Sequence, residues 1–192
     1  MNIRTSLPLV LALLLVVGTT SHADAQIFVN PFIGYDFGGD AKCPSVNNCE
    51  DKKLNAGVSI GSLGPVLGLE EELAYARDFF GAAPGVSSSV LTLMTNLMII
   101  PRIGPVRPYV LAGVGLIKSH VEFSSASVVT SNNNHLGWDV GGGVLGFFGP
   151  HVGLRGDIRY FHAFQDLTVL GLTLSDTKLD FGRASIGLVV AF

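Results

Sequence analysis

The 192-residue chain carries 12 Lys and Arg against 15 Asp and Glu, a formal net charge of −3, and only 14% charged residues beside 48% hydrophobic ones and 24 glycines. Ordinary soluble domains run at about 25% charged residues, so the composition argues against a soluble secreted domain. Without a basic footprint, no nucleic-acid partner is expected.

At the amino terminus, Arg4 precedes an apolar run from Leu7 to Val17 and the small-x-small sequence Ala23-Asp24-Ala25, the pattern of a secretory signal peptide. The run is too short for a spanning helix, which needs about 18 or more apolar residues, and every later apolar run is broken sooner by Gly, Asn, Pro or charge. The expected organisation is a signal peptide over 1–25 and a single domain over 26–192, with no linker.

Beyond residue 25, eight segments alternate apolar and polar residues with the period of a β-strand: 27–37, 53–63, 66–77, 89–100, 107–118, 135–146, 152–162 and 178–191. Most suit the roughly 9–11 residues that carry a tilted strand across a bilayer. Their connections alternate in length. Short breaks at Gly64-Pro65, 101–108 and 147–151 interleave with long stretches at 38–52, 77–89, 119–134 and 162–177. Such alternation marks a barrel with short periplasmic turns and long external loops. Cys43 and Cys49 fall in the first long stretch. In an oxidising compartment a local disulfide between them is expected.

Each segment has two unlike faces. In the last, Ala184, Ile186, Leu188, Val190 and Phe192 share one side, and Arg183, Ser185, Gly187 and Val189 the other. In 151–164, Val152, Leu154, Ile158 and Tyr160 oppose Arg155, Asp157 and Arg159. Extending the repeat puts Asp36, Glu70, Glu72, Asp139 and Asp157 on the polar face with Lys53, Arg155, Arg159 and Arg183. Five acids against four bases suit a mutually paired cluster in a narrow lumen, where an unpaired charge is very costly. Glycines on that face make room for it, because a barrel of about eight strands holds side chains and little else. Glu71 falls on the opposite, lipid-facing side, where an acid is costly, though less so than the roughly 2–4 kcal/mol of a basic residue. A bulge within Glu70-Glu71-Glu72 or a contact between protomers would remove the conflict.

The segments GLEEELAY (68–75), LTLMTNLMIIP (91–101), RPYVLAGVGL (107–116), LGWDVGGGV (136–144), GLRGDIRY (153–160) and FGRASIGLVVAF (181–192) resemble, in order, the strands of small outer-membrane β-barrel proteins of the opacity-porin and OmpA-like type. The resemblance implies an all-β fold: an eight-stranded antiparallel up-and-down transmembrane β-barrel. It also implies that Phe192, the terminal aromatic, is the signal read by the barrel-assembly machinery. No periplasmic peptidoglycan-binding domain is expected, since the last strand closes the chain.

Other motifs have plainer readings. Gly141-Gly142-Gly143-Val144-Leu145-Gly146 satisfies G-x-G-x-x-G, but the turn FFGPH follows where a dinucleotide site needs a helix, so no cofactor is expected. His120, His135 and His162 sit near the loop side on different hairpins without ligand spacing, and are read as rim residues rather than metal ligands. Ser119-His120 invites comparison with lipid A hydrolases of the outer membrane, but neighbours on a strand point to opposite faces, which makes a poor dyad. The aromatics Phe28, Phe32, Tyr35, Phe37, Phe79, Phe80, Tyr109, Trp138, Phe147, Phe148, Tyr160, Phe181 and Phe192 gather toward segment ends and are assigned to interface girdles.

The expected function is structural or interactive, without catalysis. The lumen is largely plugged, the barrel lies among outer-membrane lipids and lipopolysaccharide, and the loops are the place for any external ligand. A narrow pore for small solutes is the alternative, with a lipid A hydrolase or a soluble lipocalin-like carrier behind it.

Overall fold

The computed structural model describes residues 25–39, 53–79, 86–101, 104–123, 129–169 and 172–192. Cys43 and Cys49, Phe80, and the proposed signal peptide apart from Ala25 lie outside these residues.

Eight strands follow one another along the chain: β1 (Gln26–Phe37), β2 (Leu54–Leu63), β3 (Leu67–Arg77), β4 (Val86–Ile99), β5 (Val106–Phe123), β6 (Val129–Phe147), β7 (Val152–Val169) and β8 (Leu172–Ala191). Each pairs antiparallel with its neighbour, and β1 pairs with β8, so the sheet closes into a barrel. Closure gives each strand a neighbour on both sides within the closed barrel, which is what a lipid-exposed sheet requires. No helix among the described residues is long and apolar enough to cross a membrane; the crossing is made by strands.

The two faces divide as the period-two pattern predicts. Leu154 and Ile158 are 42% and 61% exposed, whereas Arg155, Asp157 and Arg159 are 3%, 7% and 2% exposed. Around the rest of the wall, Val58, Ile60, Leu69, Leu73, Leu93, Leu97, Val110, Val114, Val140, Val144, Ile186 and Leu188 are exposed as well. This apolar surface is continuous around the barrel, far beyond the patches of a few hundred Å² seen on soluble monomers, and its natural solvent is hydrocarbon.

Two turns on the short-connection side have local backbone features that fix them. Gly64 N–H donates to Leu67 O at 2.8 Å. In the turn before β5, Gly104 takes φ of 70°, a conformation that a residue with a Cβ rarely adopts.

On the opposite side the strands outrun their sequence limits. Pairing between β5 and β6 continues from Ile117↔His135 to Phe123↔Val129, and β7 and β8 pair as far as Val169↔Leu172 with register shifts between His162 and Thr168. The segments 119–134 and 162–177 are therefore largely paired hairpin rather than irregular loop. Outside the hydrocarbon both faces of a ribbon meet water, so the side-chain alternation disappears while the backbone ladder persists.

Glu70, Glu71 and Glu72 pair without interruption with Gly61, Ile60 and Ser59 on one side and with Asn96, Thr95 and Met94 on the other. No bulge relieves Glu71, and it remains on the outer face.

Candidate functional site in the barrel lumen

Strands β1, β3 and β6 to β8, with Lys53 at the start of β2, contribute the charged residues of the lumen, and the alternation of each strand aims them inward. Asp36, Lys53, Glu70, Glu72, Asp139, Arg155, Asp157, Arg159 and Arg183 are all buried. Eight of them form one connected array. Arg155 is paired with Glu70 and meets Asp157 Oδ2 through Nε at 3.0 Å. Arg159 lies at the centre, with Nη2 3.0 Å from Glu70 Oε1 and 3.1 Å from Asp157 Oδ2, and Nη1 2.8 Å from Glu72 Oε2 and 3.8 Å from Asp139 Oδ2. Glu72 in turn meets Arg183 Nη1 at 3.3 Å, and Arg183 Nε donates to Asp36 Oδ1 at 2.8 Å. The ninth, Lys53, is buried where β2 begins, with its carbonyl accepting from Asp36 N–H at 2.9 Å.

Neutral groups complete the array. Tyr109 Oη donates to Asp157 Oδ2 at 2.6 Å and accepts from Arg155 Nε at 2.6 Å. Ser185 Oγ donates to the other Asp157 oxygen at 2.7 Å, and Asn55 Nδ2 to Asp36 Oδ1 at 2.7 Å. Asn96 satisfies both ends of its amide when Nδ2 donates to Asp139 Oδ1 at 2.7 Å and Oδ1 accepts from Arg159 Nη1 at 3.1 Å. Inward glycines leave the space. A Cβ on Gly143 would lie 2.6 Å from both Tyr109 Oη and Asp157 Cβ, too close for any side chain to be added without displacing the network.

Apolar layers lie on either side of the charges. Toward the long connections, Ala76, Phe79, Val90, Met94, Ile117, Phe161, Ala163, Leu179 and Phe181 form one buried cluster. Toward the short turns, Phe28, Leu63, Met98, Ile100, Leu111, Leu145, Val189 and Ala191 form the other, joined by the ring of Tyr109. The layers are stitched to the charges by rings: Phe161 and Phe181 stack at 4.8 Å, and the Arg183 guanidinium sits 4.7 Å from the Phe161 centroid. On the other side, Arg155 stands 4.8 Å from the ring of Tyr109. A cation over an aromatic face gains electrostatically where water is excluded.

These layers correct the girdle assignment. Phe28, Phe32, Phe79, Tyr109 and Phe181 are buried inside the barrel rather than placed at its lipid interfaces, because their strand positions share parity with the lumen. Phe147 also turns inward, against the cluster near the short turns and beneath Arg107 at 4.4 Å. Tyr35, Phe37, Phe148, Tyr160 and Phe192 do face outward. Trp138 joins them in a group with Tyr160 and His162 at centroid distances of 5.8 and 5.6 Å, and Tyr160 Oη donates to Asp180 Oδ2 at 3.0 Å. Sequence reasoning also passed over Asn55, Asn96 and Ser185 as partners of the charges. The available signal was that Asn55 and Ser185 share a strand face with Lys53 and Arg183, and that Asn96 lies opposite Leu93 and Leu97 on its own strand.

The remaining candidates do not converge on a reaction centre. Ser119 is buried and inward, whereas His120 is half-buried on the outer face. His135 points into the barrel, with neither ring nitrogen hydrogen-bonded, while His162 stacks on Tyr160 outside. Among the described residues no group of three or more His, Cys, Asp or Glu is placed to hold a metal ion. Gly141 and Gly143 belong to the middle of β6 and precede no helix.

A closed antiparallel barrel with an apolar exterior and an ion-paired interior defines an integral membrane β-barrel. Residues 10–192 match the family described as the outer membrane protein beta-barrel domain, and the chain belongs to that family as an integral protein of the bacterial outer membrane. Among solved structures it is similar to Neisserial surface protein A (TM-score 0.64, 18% identity, covering 90% of this chain and 100% of that one). It is also similar to a major outer membrane protein of Thermus thermophilus (0.57, 16%, 89% and 100%) and to Ail, the attachment invasion locus protein of Yersinia pestis (0.56, 13%, 90% and 100%). At these identities the likeness is one of fold. No curated protein sequence matches the chain.

Proposed function

We propose that the protein is a closed, non-conducting barrel without catalytic activity, and that its role is structural or lies in surface interaction through its external hairpins and loops. The observation that carries this reading is the layering of the lumen: an ion-paired array between two apolar clusters. An ion crossing it would have to shed its water at both apolar layers and compete with salt bridges already made. The lack of a reactive pairing between Ser119 and His120, which face opposite ways, supports the non-catalytic part of the reading. The similarity to surface proteins is compatible with it.

In this reading export depends on cleavage of residues 1–25, Phe192 is recognised by the barrel-assembly machinery, and lipopolysaccharide surrounds the outer rim. Phe192 N–H donates to Ile27 O at 2.8 Å, so the final residue is held at the seam where β8 meets β1. Planar-bilayer recording tests the closed lumen. The wild type is expected to show no steady conductance, and Arg155→Ala or Glu72→Ala to admit current if they leave the barrel folded. Steady wild-type channels whose conductance changes in those variants would establish a narrow pore instead.

A further inference from the structure

The outward positions of β3 read Leu67, Leu69, Glu71, Leu73 and Tyr75, and those of β4 read Leu91, Leu93, Thr95, Leu97 and Ile99. The apolar members of both rows are exposed, while Glu71 and Thr95 are half-buried at the midpoint of each. The two polar residues are direct cross-strand partners, and Thr95 Oγ1 donates to Glu71 Oε2 at 2.9 Å. Among the described residues this is the one hydrogen bond that the carboxyl group receives. A carboxyl group has several further bonding positions, and lipid tails fill none of them.

We propose that this wall, centred on Glu71 and Thr95, is the contact between two copies of the chain packed about a two-fold axis along the bilayer normal. Every copy is inserted with its long hairpins on the same side, so two copies can be related only by an axis in that direction. Each outward residue then meets its counterpart at the same depth, as an isologous interface requires. Facing carboxyl groups, paired as neutral acids in hydrocarbon surroundings, satisfy each other through reciprocal hydrogen bonds in which each O–H donates to the other's carbonyl oxygen, and the Thr95 hydroxyl donates to a remaining lone pair of Glu71 Oε2. A different partner would have to bring its own polar group to this depth; a second copy brings it by symmetry. Leu69, Leu73, Leu93 and Leu97 surround the pair with packing surface. The wall formed by β7 and β8 lacks such a feature: Val152, Leu154, Gly156 and Ile158 oppose Ala184, Ile186, Leu188 and Val190 with no polar side chain among them.

The test uses the protein over residues 26–192 with donor and acceptor dyes on a tag preceding Gln26, in phosphatidylcholine vesicles at decreasing protein-to-lipid ratio. Wild type is expected to self-associate. Glu71→Leu should weaken association about tenfold, the loss of one or two buried hydrogen bonds, whereas Glu71→Gln, whose amides pair in the same reciprocal way, should retain it. A photo-cross-linking residue at position 73 should give dimers, and one at position 186 should not. Heat-modifiable gel mobility reports whether each variant is folded. If Glu71→Leu does not fold, the comparison of positions 73 and 186 decides. Wild type that is monomeric at every dilution, a folded Glu71→Leu that associates as tightly as wild type, or cross-links at 186 in place of 73 would overturn the proposal.

Discussion

Arg159 shows what a single side chain contributes here. Its guanidinium meets Glu70, Glu72, Asp139 and Asp157 within 4 Å, so removing it leaves several buried acids facing one another. Arg159→Met is expected to destabilise the barrel by about 3–5 kcal/mol, the range for breaking a buried ion pair from one side, read from urea unfolding of the protein in lipid vesicles. Lys118→Ala, at an exposed site on the outer face, should stay within about 0.5 kcal/mol; equal effects of the two would contradict the network. The side to which each charge points was legible in the sequence, since a two-residue repeat fixes the face once one residue is placed. The partners were not. That Glu72 bridges Arg159 and Arg183 depends on how strands β3, β7 and β8 are staggered around the cylinder, which no local pattern encodes. Tyr109 escaped sequence reasoning for a related reason: an aromatic near a strand end suits either an interface girdle or a lumen layer. Only its parity with Leu111, both of them buried, separates the two.

At the scale of single elements, β5 to β8 owe their length to backbone pairing rather than to side-chain pattern. Strands β2 and β3 end close to the limits that alternation sets, at Leu54–Leu63 and Leu67–Arg77. By contrast, β6 begins at Val129 and runs through the uniformly polar Thr130-Ser131-Asn132-Asn133-Asn134. A reader of hydrophobic periodicity stops where periodicity stops, and it stops at the edge of the hydrocarbon. The ladder beyond it makes a direct prediction for hydrogen exchange. Amides in the paired stretches Ser119–Phe123 and Val129–Asn133 should be protected relative to free peptide despite lying outside the membrane, because the ladder holds them in cross-strand bonds. Exchange at the free-peptide rate throughout these stretches would show that the hairpin is not formed.

For the molecule as a whole, fold and environment rest on one arrangement: an apolar wall turned outward and a layered, ion-paired interior. The arrangement explains why a chain with so few charges keeps many of them inside, and why phenylalanine appears on both faces, anchoring the wall outside and sealing the charges within. The most direct measurement is a set of nuclear Overhauser contacts between protein methyl groups and lipid acyl chains, recorded on the unaltered protein in nanodiscs. Methyls of Leu154, Ile158, Ile186 and Leu188 are expected to contact the acyl chains, whereas those of Ile117, Leu145 and Val189, buried in the lumen layers, are not. Acyl contacts at Ile117, Leu145 and Val189, with none at Leu154 and Ile158, would contradict the account.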